Sequence, residues 1–388
     1  MSDWPVAGFT STGSKHPQGI YGDGDASGVP RLMSRSAGCY VWDDRDKRYV
    51  DCIMALGAVA LGYGHPVVKL AAAAAIEAGV VGPLAPVVEA ELAEDLQRLI
   101  PRLEQVRFLK TGAEACAAGV RLARAYTGRE MVLSCGYHGW LDWAASGPGV
   151  PAAVSYLSDV IPFNNIEETR RLIRATGHRL ACVIIEPVIE AEPHPEWLAT
   201  LRAETTRVGA LWIIDEVKTA CRIAIGGATE RYGLEPDLMV LGKALANGFP
   251  LAVVGGRRAV MERVADTWIS STLATEFVSL AAARACLDVM QLEDVPATLH
   301  KAGSRLFAGL GRLAHEYPDL VTRTMGIPEM CHLEFRDEAF SRGVAIGAAR
   351  RGVLFKRSAY NFVSLAHDGA VVEQVVDTLA EVLGDIRR

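Results

Sequence analysis

Four short segments of this 388-residue chain set reactive side chains against apolar runs. In LMVLGKALANGFP, Lys243 lies in a glycine-bounded turn straight after such a run. Apolar surroundings penalise an ammonium more than an amine, so a lysine there loses its proton more readily than a solvated one. It can then form an imine or carry a proton. In IIDEVKTACR, Asp215 ends another apolar run, where a lone carboxylate is costly unless it faces a cation. A protonated ring nitrogen is one such cation, while a metal ion or a structural Asp-Glu pair would account for the same residues. Val217, two positions on, could cover one face of a planar ligand. In KTGAEACAAG, Thr111, Gly112 and Ala113 stand where a strand gives way to a helix. Free N–H groups and the helix dipole attract a phosphate there, although ordinary N-capping by Thr111 explains the same residues. In SCGYHGW, Tyr137 and His138 sit between glycines, free to lie on a ligand ring or to pack within their own loop.

These segments act together only if the fold brings their strand ends together. Between residues 105 and 256, continuous β-rich runs (QVRFLK, MVLS, VSYL, ACVIIE, ALWIID, LMVLG and LAVVG) alternate with Ala/Arg/Glu-rich helical stretches. That alternation predicts an α/β fold, a mostly parallel seven-stranded sheet covered on both faces. Glu186, Asp215 and Lys243 fall at or just after the ends of runs, the edge where such sheets gather ligands. After Ser270 the pattern predicts helices over 276–292, 295–316 and 370–386, with short strands near 332–335 and 363–366. This is a smaller α+β domain, to which a hairpin turning at 43–47 adds strands. The expected division is an N-terminal segment, 1–54, contributing to the small domain; a large domain, 55–268; and the C-terminal small domain, 269–388. Residues 70–88 read as a buried helix and a turn, since Glu77, Pro83 and Pro86 argue against a membrane span.

Forty Lys+Arg against 46 Asp+Glu leave a net charge of -6, so no positive field invites a nucleic acid or an anionic bilayer as partner. The N-terminal stretch, expected to be a loop, lacks a basic segment followed by an apolar one, the pattern of a secretory signal. Eight scattered cysteines, without CxxC or a histidine at metal spacing, predict neither a metal site nor a disulfide framework, and suit a cytoplasmic protein.

In their order along the chain, the motifs resemble the class III, fold type I pyridoxal 5'-phosphate (PLP) aminotransferases, and especially the glutamate-1-semialdehyde 2,1-aminomutase branch. The matching stretches are Thr111 to Ala115 (TGxEA), RLARAYTGR from Arg121, Tyr137 to Gly139, Glu186 to Val188, DEVxTxxR from Asp215, PDLxxLGKxxxxGxP from Pro236, and FxSLAH from Phe362. GCYVWDDRDKRYVD and LGYGHP extend the likeness from about residue 27 to the C terminus. The resemblance implies a Schiff base between PLP and Lys243, Asp215 on the pyridine nitrogen, and Tyr137 stacked on the ring. It also implies a phosphate held by Thr111, Gly112 and Ala113, with His138, Glu186 and Val217 among the cofactor's neighbours. Thr272 matches the threonine that family members lend to the other subunit's phosphate site, which implies a homodimer with shared active sites.

Some positions depart from the branch. PQGIYGDGDA has no arginine where the aminomutases carry one for the substrate carboxylate, and Ala55-Leu56 replace an SW-like pair. Ala274 to Phe277 replace an SGNP-like continuation, and Lys218 stands where many aminotransferases have glutamine. Lys356-Arg357 are the nearest candidate for a replacement anion contact. The expected activity is amino transfer from a small-molecule donor to a carbonyl-containing biosynthetic intermediate, such as an oxidised sugar or an aminocyclitol. The rivals are a PLP-dependent isomerase, either the aminomutase or an epimerase, and a binding protein without turnover.

Overall fold

The computed structural model describes residues 4–23, 26–358 and 360–388; residues 1–3, 24 and 25 of the N-terminal stretch discussed above, and residue 359, lie outside the described residues. The chain forms two compact units, Met1–His65 with Ala297–Arg388, and Pro66–Pro296. These divisions lie later than the expected 54/55 and 268/269. The reason is that helix Phe277–Leu292 packs on helices Pro66–Glu77 and Val87–Leu99 and so belongs with the larger unit.

Strands β1 (Met33–Ala37), β2 (Tyr40–Asp43) and β3 (Arg48–Asp51) open the smaller unit. The larger unit follows with β4 (Gln105–Leu109), β5 (Met131–Cys135), β6 (Ser158–Val160), β7 (Leu180–Ile185), β8 (Leu211–Asp215), β9 (Leu238–Leu241) and β10 (Ala252–Gly256). Strands β11 (Val321–Ile327), β12 (Met330–Phe335), β13 (Val353–Leu354) and β14 (Asn361–Phe362) return to the smaller unit.

The seven strands of the larger unit form one sheet in the order β4-β10-β9-β8-β7-β5-β6. Only β10 runs against its neighbours. Every residue of β7, β8, β9 and β10 is buried, as expected for strands covered on both faces. Alternate residues serve opposite faces. Ile213 and Val240 pack against Cys116 and Val120 of helix Gly112–Thr127, whereas Ile214 joins Leu133, Ile185 and Trp197 on the other side.

Two expectations about this unit change. VSYL is not a strand: Ala152–Ser155 is a helical turn entered from Pro151, whose fixed φ suits a helix start, and the edge strand is the polar Ser158–Val160. Residues 70–88 do run from a helix into a turn, but the helix is not buried. Pro66–Glu77 buries only Val68, Ala72 and Ala75, while Leu70 is 73% exposed. Val68 and two small alanines are turned inward, while Val67, Leu70 and Ile76 are exposed.

In the smaller unit β2 and β3 form the expected hairpin, closed by Asp43, which accepts from the amides of Arg45 (2.9 Å) and Lys47 (2.8 Å) and from the Tyr49 hydroxyl (3.0 Å). β14 ends before the strand expected at 363–366, because the chain turns: the Ser364 amide donates to His367 Nδ1 at 3.0 Å. All eight cysteines are unbridged and buried. Among the described residues no helix is long and apolar enough to cross a membrane.

Candidate active site

The carboxyl ends of β5, β7, β8 and β9 carry Cys135, Ile185, Asp215 and Leu241, and the loops that follow hold the reactive residues. Asp215 is buried. One carboxylate oxygen lies 2.7 Å from His138 Nδ1 and accepts from the Cys116 thiol at 3.2 Å; the other accepts from the Val217 amide at 3.0 Å. Burial alone would raise its pKa, but the His138 hydrogen bond and charge, with the Val217 amide and Cys116 thiol, bring it below the ordinary carboxylate value. Three contacts leave lone-pair capacity for one more donor. His138 is itself buried and stacks on Trp143, with ring centroids 6.1 Å apart. Its place is behind the carboxylate, a role that its position in SCGYHGW did not disclose.

Cys116, His138 and Asp215 bring ligand atoms within 4.8 Å of one another. Metal ligation would require the thiol to ionise. Burial, then the neighbouring Asp215, pushes the Cys116 thiol well up, so the three are better described as a hydrogen-bonded chain. Cys116 was missed in the sequence because it lies on the apolar face of a helix, where cysteine behaves as a small hydrophobe.

Thr111 does cap its helix. Its hydroxyl accepts from the Glu114 amide at 3.2 Å, and Glu114 Oε2 accepts from the Thr111 amide at 2.9 Å. The capping reading and the anion reading are compatible, since the box consumes the donors of Thr111 and Glu114 and leaves the first-turn N–H groups of Gly112 and Ala113 without a partner within the helix. The loop after β5 closes on this turn. A Cβ at Gly139 (φ +99°) would lie 2.4 Å from that of Ala113, and one at Gly136 (φ +102°) 2.7 Å from Glu186 Oε2. Both positions therefore require glycine.

Lys243 follows Gly242 at the end of β9 with φ +47°, an uncommon backbone state for a residue with a side chain. Burial pushes its amine below the ordinary lysine value, aided by Lys218 and Arg222 and opposed by Glu186 and Asp215. Val217 links two parts of the site: its side chain lies 3.1 Å from a Cβ built on Gly112 and 3.6 Å from one on Gly242. Glu186 accepts from the Tyr137 amide at 3.0 Å and forms a 3.0 Å ion pair with Lys218, so Lys218 is turned inward. The Tyr137 ring is 70% exposed.

Thr272 begins an exposed helical turn in the same unit. The departure that follows it has a structural reason: Glu276 caps helix Phe277–Leu292 and pairs with Lys110 at 2.6 Å. In the smaller unit, Ala55 and Leu56 have φ of +50° and +59°, in a turn held by Asp51, which accepts from the amides of Ile53 (2.7 Å) and Met54 (3.2 Å). Arg357 pairs with the exposed Glu338 at 3.3 Å, whereas burial, then Arg357, lowers the Lys356 amine.

The larger unit thus offers two unpaired amides at a helix start, a carboxylate held anionic, and a lysine biased toward its neutral form. This donor set fits a phosphorylated, cationic-ring aldehyde. Over 92% of its length the chain is 34% identical to glutamate-1-semialdehyde 2,1-aminomutase of Pyrobaculum aerophilum, across 93% of that protein. The structure of an omega-transaminase from Sphaerobacter thermophilus is 25% identical and superposes with a TM-score of 0.84, covering 95% of this chain and 94% of that one. The FumI protein of Sphingopyxis sp. MTA144, solved in its PLP internal aldimine form, shares the fold at a TM-score of 0.89 and 24% identity, covering 96% of this chain and 94% of that one. The model of the aminotransferase class-III family matches residues 21–386, and the chain belongs to that family of PLP-dependent enzymes.

Proposed function

We propose that the chain moves an amino group from a small amino donor to a carbonyl acceptor, with Lys243 as the reactive amine. The observation that carries this reading is the pairing of a lysine whose burial favours the neutral amine with Asp215, a buried acid kept anionic by His138. When bound, pyridoxal phosphate supplies a carbonyl that exchanges with amines and a ring that accepts electrons. Lys243 Nζ is the point of covalent attachment and, once released, takes and returns the substrate's proton. Asp215 holds a proton on the ring nitrogen, and His138 with Cys116 fixes the carboxylate for that contact. Gly112 and Ala113 donate amides to the phosphate, with Thr111 shaping the turn. Tyr137 and Val217 would be the side chains that cover the ring, and Glu186 anchors the Tyr137 loop.

We read the working protein as a cytoplasmic homodimer in which Thr272 serves the other subunit's phosphate site. Leu70, Ile76, Leu84, Val87, Trp268 and Leu273 are large apolar side chains exposed on the larger unit, which supports association. The substrate reading is a carbonyl compound less acidic than glutamate semialdehyde, such as an oxidised sugar or an aminocyclitol. It is supported by the missing arginine in PQGIYGDGDA and by the engagement of Arg357 with Glu338.

The test is a half-reaction of the PLP-loaded protein with glutamate or alanine. Transfer predicts keto acid release in step with loss of the visible absorbance, followed by recovery on adding an acceptor aldehyde. Product formed from glutamate semialdehyde without any donor would instead identify an isomerase.

A further inference from the structure

We infer that Lys218 is a positioning residue whose cation cancels the negative charge that Glu186 would otherwise present to Lys243. The inference rests on Lys243 being the reactive amine. Lys218 and Glu186 form a 3.0 Å ion pair with side chains only 8% and 13% exposed. Solvent therefore screens the pair weakly, and each charge is felt nearby. The pair is also fixed in place. The second Glu186 oxygen accepts the Tyr137 amide at 3.0 Å, and the Glu186 side chain fills the space that a Cβ at Gly136 would occupy. Lys218 directly follows Val217, whose side chain reaches the Gly242 that precedes Lys243.

Four charged groups act on the Lys243 amine: Glu186 and Asp215 favour its protonation, Lys218 and Arg222 oppose it. Lys218 pairs with Glu186, whereas the contacts of Asp215 are to His138, Cys116 and Val217, so Glu186 is the carboxylate whose balance depends on Lys218. A neutral residue at 218 would leave one excess negative charge beside Lys243, and a neutral residue at 186 one excess positive charge. A pair that served only to fill the core would give no such opposite response.

The experiment follows the pH midpoint at which the Lys243 nitrogen of the PLP-loaded chain loses its proton, read from the visible absorbance. K218Q is expected to raise the midpoint by roughly one pH unit and E186Q to lower it by a similar amount. The double variant should return close to wild type, and K218R should match it. If K218Q does not fold, judged by its thermal melt, E186Q and K218R carry the test alone. Midpoints that stay fixed, or that move the same way in both single variants, overturn the inference. Absence of any visible band dependent on Lys243 would instead overturn the assignment of Lys243 itself, so the two failures are distinguishable.

Discussion

Asp215 and Glu216 are neighbours in the chain, both buried, and their ionisation is shifted in opposite directions. Asp215 meets the 138 loop and helix Gly112–Thr127: its partners are an imidazole, a thiol and one amide, which leave room for another donor. Glu216 meets the turn at 226–229, accepting from the amides of Ala228 (2.8 Å) and Thr229 (2.6 Å), from the Thr229 hydroxyl (2.7 Å) and from that of Thr219. Its lone pairs are spent on protein. Burial raises the Glu216 pKa and its neutral donors do not fully compensate, whereas His138 brings Asp215 down. A buried carboxylate with spare capacity is available for chemistry, and a saturated one holds the fold.

The largest effect should separate the two residues by role. Asp215→Asn keeps the shape but loses the charge, so amino transfer should fall about 100- to 1000-fold while the thermal melt falls less than in Glu216→Gln. Equal loss of stability and activity would erase the distinction. Glu216→Gln presents an NH2 to converging donors and should cost on the order of 3 kcal/mol in urea unfolding, while the folded fraction keeps its visible absorbance.

The smallest effect is the pH dependence of stability. A depressed acid stabilises the fold above its unfolded pKa and loses that contribution as pH falls through the folded value; a raised one makes the fold lose stability as pH rises. The advantage of wild type over Asp215→Asn should therefore shrink on acidification below 3.8, the ordinary aspartate value. Its advantage over Glu216→Gln should shrink as pH rises above 4.5, the ordinary glutamate value. Parallel slopes in urea titrations would contradict the contrast.

Much of the sheet was legible because strands covered on both faces read as continuous apolar runs, and Asp215 and Lys243 stand where two of those runs stop. The apolar run VSYL misled because a proline-led helical turn has the same composition as a short strand. The roles of Asp215 and Glu216 could not be separated in sequence, since they depend on Thr219 and Thr229 on one side and Cys116 and His138 on the other. Lys218 was opaque for the same reason: its partner, Glu186, lies on another strand's end. Residues 70–88 read as a helix and a turn, but that the helix starts at Pro66 and leaves Leu70 exposed depended on which neighbour it met.

The most direct measurement is borohydride reduction of the PLP-loaded protein followed by peptide mapping. Two lysines follow the ends of neighbouring strands, Lys243 after β9 and Lys218 after β8. A pyridoxyl group is expected on the Lys243 peptide alone, absent from Lys243→Ala. A label on Lys218, or retained labelling in that variant, would contradict it.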